Sequence, residues 1–362
     1  MRVLFVDHSG APGGGQLGLL RYASIRSEHL RTYLFLGPGT VLDSLRSRGL
    51  NASAADFPAA SVRDLYASRR LLRRCVEQAN VDLVVANSLR SAVALAWARP
   101  DIPMVYYMRQ DMSPKSMGRT QRTLARLTVF PAYRAFLANS RWTASVAPPE
   151  VRRRVLSTPA YPLCDADGLT TVSSAARTGE ALRFLWMGRL VEWKGLDVVL
   201  KAMSILERRG VPVSLTVAGA AHHGDPRYVQ RIQSRASQLR ARPRFLGHVD
   251  DVGSVLSSHH ILIHSSIIPE PFGQVVVQGM AAGLAVVATS CGGPVEIIED
   301  GVDGLLVKPS DPVALAAALI RLRNDSVLRE SMRIRGRRKV LAEFSDRQLA
   351  GALDRLLLEA VG

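Results

Sequence analysis

Cysteine is scarce in this chain: Cys75, Cys164 and Cys291 are the only three among 362 residues. They are odd in number, far apart and never in a CxxC pair, which argues against a disulfide framework and fits a reducing compartment. Long apolar runs are missing as well. The opening stretch Met1–Asp7 is too short for a signal-peptide core, and no segment approaches the roughly 18 apolar residues of a membrane span, so the chain reads as cytoplasmic. Aromatic residues make up 6%, and no nucleic-acid-binding motif or stacking platform accompanies them, which argues against a nucleic-acid partner. No repeat of solenoid period is visible.

Several chemical signatures also fall short. Gly13, Gly14 and Gly15 follow a short apolar run, but no Lys-Ser/Thr comes after them, which excludes a Walker motif. The loop is not GxGxxG and no acidic residue follows about 20 positions on, which disfavours a nicotinamide site. Asp165-Ala166-Asp167 imitates a metal-binding DxD, yet it sits in a connection rather than after a strand. His222-His223 and His259-His260 are adjacent pairs with no third ligand at metal spacing. No metal and no cofactor is expected. No two carboxylates stand out as an acid and base pair for double displacement.

What is present is an ordinary globular composition, 47% hydrophobic and 22% charged, with a net charge of +16. Thirteen of those sixteen positive charges fall in residues 1–163. Such a surface attracts anionic lipid, nucleic acid or a phosphorylated substrate and says nothing about fold. Arg63, Arg69, Arg70, Arg73 and Arg74 crowd one predicted helix, and Arg119, Arg122 and Arg126 share a face of another. Two readings stand for them: a solvated face, or docking to an anionic membrane or a phosphorylated acceptor.

Short apolar runs at Val3–Val6, Thr32–Leu36, Leu83–Ala86, Met104–Tyr107 and Ala135–Ala138 read as buried parallel strands, with helices over Leu17–Ile25, Val62–Gln78 and Arg119–Thr128. Residues 157–180, rich in Pro, Ser, Thr and Ala, read as an interdomain connection. The rhythm then restarts with strands at Arg183–Met187, Ser214–Ala218, Ile261–His264 and Ala285–Ala288. Helices are expected over Gly195–Arg208, Tyr228–Leu239, Gln274–Ala282 and Pro312–Arg323. The pattern predicts an α/β chain of two Rossmann-like domains facing each other across a cleft. Residues 1–163 form the first, with the helix 346–362 packing back on it, and residues 164–345 form the second.

Two stretches carry the chemistry. In MGRLVEWKGLD, Gly188 lets backbone approach a ligand, Arg189 and Lys194 supply positive charge, and a helix N-terminus follows; this is a good design for a diphosphate. In SSIIPEPFGQVVVQGMAAGLAVVATSCGGPVEII, Glu270 can accept hydrogen bonds from sugar hydroxyls while Phe272 and Gly273 present backbone N–H groups. Taken singly, each also suits a surface turn and a capping glutamate.

Together with FLANSRWTA, LTVAGAAHHGD, FLGHVDDV and GVDGLLVKPSD, these stretches resemble the retaining glycosyltransferases of family 4, which have the GT-B architecture. The resemblance spans nearly the whole chain and is more specific in its second half. It implies that Arg189 and Lys194 meet the donor pyrophosphate and that Glu270 holds the transferred sugar. It places the turn of His248 and Val249 near the nucleotide base, and Gly14 and Gly15 toward the donor phosphates or the acceptor. Two positions depart from the family pattern. Gln278 stands where a ribose-binding Glu is common, and YYMRQDM puts Arg109 and Asp111 where a His, often followed by Asp, is frequent. The implied activity is front-face transfer from a nucleotide-diphosphate sugar to a hydroxyl acceptor, with peripheral contact at the inner membrane face expected through the basic first domain. A nucleotide-sugar epimerase of the same fold and a noncatalytic binder of anionic polymers are the alternatives.

Overall fold

The computed structural model describes residues 1–59, 61–113, 116–169, 182–221 and 225–362. His222-His223 and the 170–180 part of the connection lie outside the described residues. The chain divides into two compact units, Met1–Leu163 with Asp346–Gly362, and Cys164–Ser345.

The first unit holds β1 (Arg2–Asp7), β2 (Leu30–Phe35), β3 (Ala52–Ala54), β4 (Leu83–Ala86), β5 (Met104–Met108) and β6 (Ala135–Ala138). They pair in parallel in the order β3-β2-β1-β4-β5-β6. The second holds β7 (Leu182–Met187), β8 (Val213–Ala218), β9 (Arg244–Gly247), β10 (Ile261–His264), β11 (Ala285–Thr289) and β12 (Leu305–Val307). Its parallel order is β12-β11-β10-β7-β8-β9. Both sheets are therefore doubly wound. The order reverses between β1 and β4 and between β7 and β10, and the crevice beyond the strand ends at such a switch point is where these sheets take ligands.

Inner strands β4, β5, β10 and β11 are buried at every residue, because helices cover both faces of a parallel sheet. The strands without a sequence signal are β3, β9 and β12, all at sheet edges and three or four residues long. The expected helix over 62–78 breaks at Ser68, whose hydroxyl donates to the Pro58 carbonyl at 2.9 Å. It becomes Val62–Ala67 and Arg69–Gln78, the first opened by a capping box between Ser61 and Asp64. The expected helix over 119–128 is regular only to Leu124. It widens into a π-helical turn, Ala125–Val129, ahead of Pro131, which has no N–H to offer the preceding turn.

The last helix, Asp346–Glu359, buries Leu349, Leu353, Leu356 and Leu357. In the first unit's core, Phe5 lies 5.6 Å from both Tyr22 and Tyr33, edge-on to the first and stacked on the second. The Tyr22 hydroxyl donates to Asp354, and Ser27 Oγ donates to the other carboxylate oxygen at 2.8 Å. Asp354→Ala would strip a buried phenol of its acceptor. It is expected to destabilise the first unit by about 1–3 kcal/mol, read as a lower urea midpoint, with Ser27→Ala costing less.

Candidate active site

The second unit's switch point is built by the loops that leave β7 and β10. After β7 the chain turns through Gly188 and Arg189, makes a 3₁₀ turn at Glu192–Lys194, and enters the helix Leu196–Arg208 through Gly195. Gly195 has φ +71°, and a Cβ there would stand 2.0 Å from the Ser265 carbonyl oxygen, so only glycine permits this approach. The two loops are stitched together along that contact. Ile267 N–H donates to the Trp193 carbonyl at 2.8 Å. Ser265 Oγ donates to the Lys194 carbonyl at 2.9 Å and accepts from Trp186 Nε1 at 3.0 Å.

Lys194 and Glu270 meet at this seam, Nζ to Oε1 at 2.5 Å, with their side chains 11% and 14% exposed. The Glu270 backbone is fixed from β11's side: Gly293 N–H donates to its carbonyl at 2.8 Å, and Gly292, at φ +72°, lies so close that a Cβ would come within 2.3 Å of that oxygen. The second carboxylate oxygen accepts from His264 Nε2 at 2.6 Å and Ser266 Oγ at 2.9 Å. Burial alone would raise the Glu270 pKa. The Lys194 ammonium and the His264 hydrogen bond outweigh it and hold the carboxyl well below the usual carboxylate range. Arg189 is exposed, its guanidinium 5.5 Å from the Trp193 ring centroid, and Lys194 Nζ lies 4.5 Å from the same ring.

Residues 181–325 match the family model of the glycosyl transferases group 1. That match lies within the second unit. The phosphatidyl-myo-inositol mannosyltransferase of Mycobacterium tuberculosis is 38% identical over 162 residues, 42% of this chain and 40% of that protein. The glycogen synthase of the same organism is 30% identical over 187 residues, 51% of this chain and 44% of that protein. The chain thus matches less than half the length of these curated relatives. Among solved structures, Anabaena HepE in complex with UDP and glucose aligns over 99% of both chains with a TM-score of 0.87 at 22% identity. A Rickettsia africae glycosyltransferase aligns over 99% of this chain and 98% of its own with a TM-score of 0.81 at 17% identity. These likenesses show the GT-B fold.

Within the second unit, the structure joins Lys194 and Glu270 directly and places Arg189 at the same Trp193 ring that Lys194 approaches. Gly273, at φ +103°, opens the helix Gln274–Ala281, and Phe272 packs on Phe344 at 6.0 Å. Gln278 is 7% exposed on that helix. Val249 is half-buried after the edge strand β9, and exposed His248 pairs with Asp250 at 3.3 Å.

Gly14, Gly15, Arg109 and Asp111 belong to the first unit, at its own switch point. Buried Asp7, ending β1, accepts from Gln16 Nε2 at 2.9 Å and the His8 N–H at 2.6 Å on one oxygen, and from Asn87 Nδ2 on the other. Arg109 Nε donates to Asn87 Oδ1 at 2.6 Å, and its guanidinium lies 3.8 Å from the Tyr107 ring centroid. Gly15 lies in the first turn of the helix Gly14–Ser24, where a Cβ would stand 3.1 Å from Arg109 Cδ. Asp111 is engaged by its own loop, accepting from Ser113 N–H at 2.7 Å and from the Ser113 and Ser116 hydroxyls. Sequence reasoning missed His264, Ser266, Asp7 and Asn87. Their available signal was a polar residue closing or following an otherwise apolar strand run.

The depressed Glu270 pKa makes a stability prediction. The folded value lies below that of the unfolded chain, so the stabilisation is complete above about pH 4.5 and is lost as pH falls from there. The wild-type melting temperature is expected to fall more steeply than that of Glu270→Gln between about pH 4.5 and about pH 3, followed by calorimetry across that range.

Proposed function

We propose that the chain is a retaining, metal-independent glycosyltransferase that moves a sugar from a nucleoside-diphosphate donor to a hydroxyl acceptor. The observation that carries this reading is the Lys194–Glu270 pair at the β7/β10 switch point, with Arg189 and a helix N-terminus beside it. Two cations and a helix dipole suit a diphosphate, and a fixed carboxylate suits sugar hydroxyls. Both UDP and UDP-glucose occupy structures of Anabaena HepE, which supports a uridine diphosphate donor.

In this reading the bond from the sugar's anomeric carbon to the diphosphate oxygen lengthens first. Arg189 and Lys194 stabilise the charge growing on the departing diphosphate as the sugar becomes cation-like. Lys194 has three N–H donors, so it can keep Glu270 and still reach a phosphate oxygen. The acceptor hydroxyl attacks from the face the diphosphate leaves, and its proton passes to a diphosphate oxygen. One glycosidic bond forms as one sugar–phosphate bond breaks. Gly188, Phe272 and Gly273 contribute backbone, His248 and Val249 flank the base, and Gln278 meets the ribose as a neutral amide. Gly14 and Gly15 contact the donor phosphates or the acceptor, and Arg109 and Asp111 contribute to the acceptor side.

Arg189 is exposed, so Arg189→Ala tests the leaving-group role without disturbing a core. Sugar transfer is expected to fall roughly 10²- to 10³-fold, with an unchanged melting temperature. Wild-type rates in this variant would sink the assignment. A thermal-shift panel of UDP, GDP, ADP and dTDP identifies the donor base, since a ligand at about 100 times its Kd stabilises the native state by about 2.7 kcal/mol.

The basic face of the first unit supports a membrane-borne acceptor. Val62, Tyr66 and Leu71 are exposed among Arg63, Arg69, Arg70, Arg73 and Arg74, and Leu127 stands 72% exposed beside Arg126. Apolar side chains within a cationic field suit an anionic bilayer surface. The full chain is expected to float with vesicles containing acidic phospholipid at low salt and not with neutral ones; absence of lipid-dependent flotation removes this part of the reading.

A further inference from the structure

An ionised carboxylate offers about four acceptor positions, two on each oxygen. In Glu270 three are taken. Lys194 Nζ holds one on Oε1 at 2.5 Å, while His264 Nε2 at 2.6 Å and Ser266 Oγ at 2.9 Å both sit on Oε2. His264 and Ser266 also lie side by side, 3.2 Å apart. Because the carboxylate can only accept, the proton of this contact belongs on His264 Nε2. What remains for a ligand hydroxyl is one position on Oε1, next to the ammonium.

His264 is an unusual residue to end a buried strand. Its side chain is 2% exposed, and a polar group this deep costs free energy unless it is bonded. Its Nδ1 has no hydrogen-bond partner among the described residues. Among the described residues, the imidazole therefore makes its hydrogen bonds only to Glu270 and the serine that shares the same oxygen. We propose that His264 is a positioning residue for the sugar grip: with Ser266 it pins Oε2, so that Oε1 is the oxygen Glu270 presents to the transferred sugar. The proposal rests on the transferase reading of this site and adds a residue that the family resemblance does not supply.

The consequence is a separation between diphosphate and sugar. UDP alone, which lacks the sugar, does not use Glu270 Oε1, so its affinity is expected to stay within about twofold in His264→Leu. Turnover of UDP-glucose, or of the sugar conjugate of whichever diphosphate the thermal-shift panel selects, is expected to fall roughly 10- to 100-fold, the scale of one lost hydrogen bond to a charged group. His264→Gln, whose amide can donate to the same oxygen, is expected to recover turnover to within about fivefold of wild type. Ser266→Ala removes the second bond to Oε2 and is expected to show the same split, which carries the test if His264→Leu does not fold. Diphosphate affinity and turnover falling together in His264→Gln and Ser266→Ala would mean a purely structural role and overturn the proposal. So would wild-type turnover in His264→Leu. A wild-type chain that binds none of the four diphosphates fails earlier, and overturns the transferase reading itself.

Discussion

The ammonium of Lys194 and the carboxylate of Glu270 come from loops 76 residues apart, and neither charge is tolerable alone where it sits. Removing either partner of a buried pair leaves an uncompensated ion, which costs far more than the pair itself contributes. The backbone around them is arranged accordingly. Ser265 ties the β10 exit to the Lys194 carbonyl, and Gly292 and Gly293 hold Glu270 from the β11 side. The close packing of Gly195 on the Ser265 carbonyl sets the distance between the loops. Charge placement, rather than apolar burial, is what this corner of the second sheet is organised to achieve.

The two units wind their sheets in the same order yet solve their switch points differently. In the second, a charged pair fills the reversal between β7 and β10. In the first, Asp7 is held by the amides of Gln16 and Asn87, the His8 N–H and the His8 imidazole, 2.8 Å away. Asn87 then stands between the carboxylate and Arg109, giving one face of its amide to each. This neutral spacer keeps the guanidinium from collapsing onto Asp7. Among the described residues only its Nε makes a hydrogen bond, and stacking on Tyr107 holds its plane. A planar cation held this way retains its outer N–H fork for an anionic or hydroxylated ligand.

Much of the fold was legible because the inner strands are apolar without interruption. LVVA, ILIH and AVVAT are buried on both faces and cannot be read as anything that meets water. The edges were not legible. Ala52–Ala54 and Arg244–Gly247 pair on one side only and need no such run. The GR…K and EPFG stretches could be picked out through the family resemblance, since each lies within one loop. The residues behind them were not. His264 closes an apolar run and looks like its polar end; its role depends on the chain doubling back six residues later to bring Glu270 within 2.6 Å. Asn87 likewise gains meaning only when β1, β4 and β5 lie side by side. Local pattern reports residues that share one loop better than residues brought together from separate strands.

The closing helix carries a consequence for how the chain is made. Tyr22 waits for Asp354, 332 residues away, whereas the second unit is contiguous from Cys164 to Ser345. Domains fold as units during synthesis, at about 5–20 residues per second. A nascent chain can therefore complete its later unit while the earlier one still exposes the flank that Leu353, Leu356 and Leu357 will cover. For those seconds the half that begins first is the half that finishes last, because its core waits for residues 346–362.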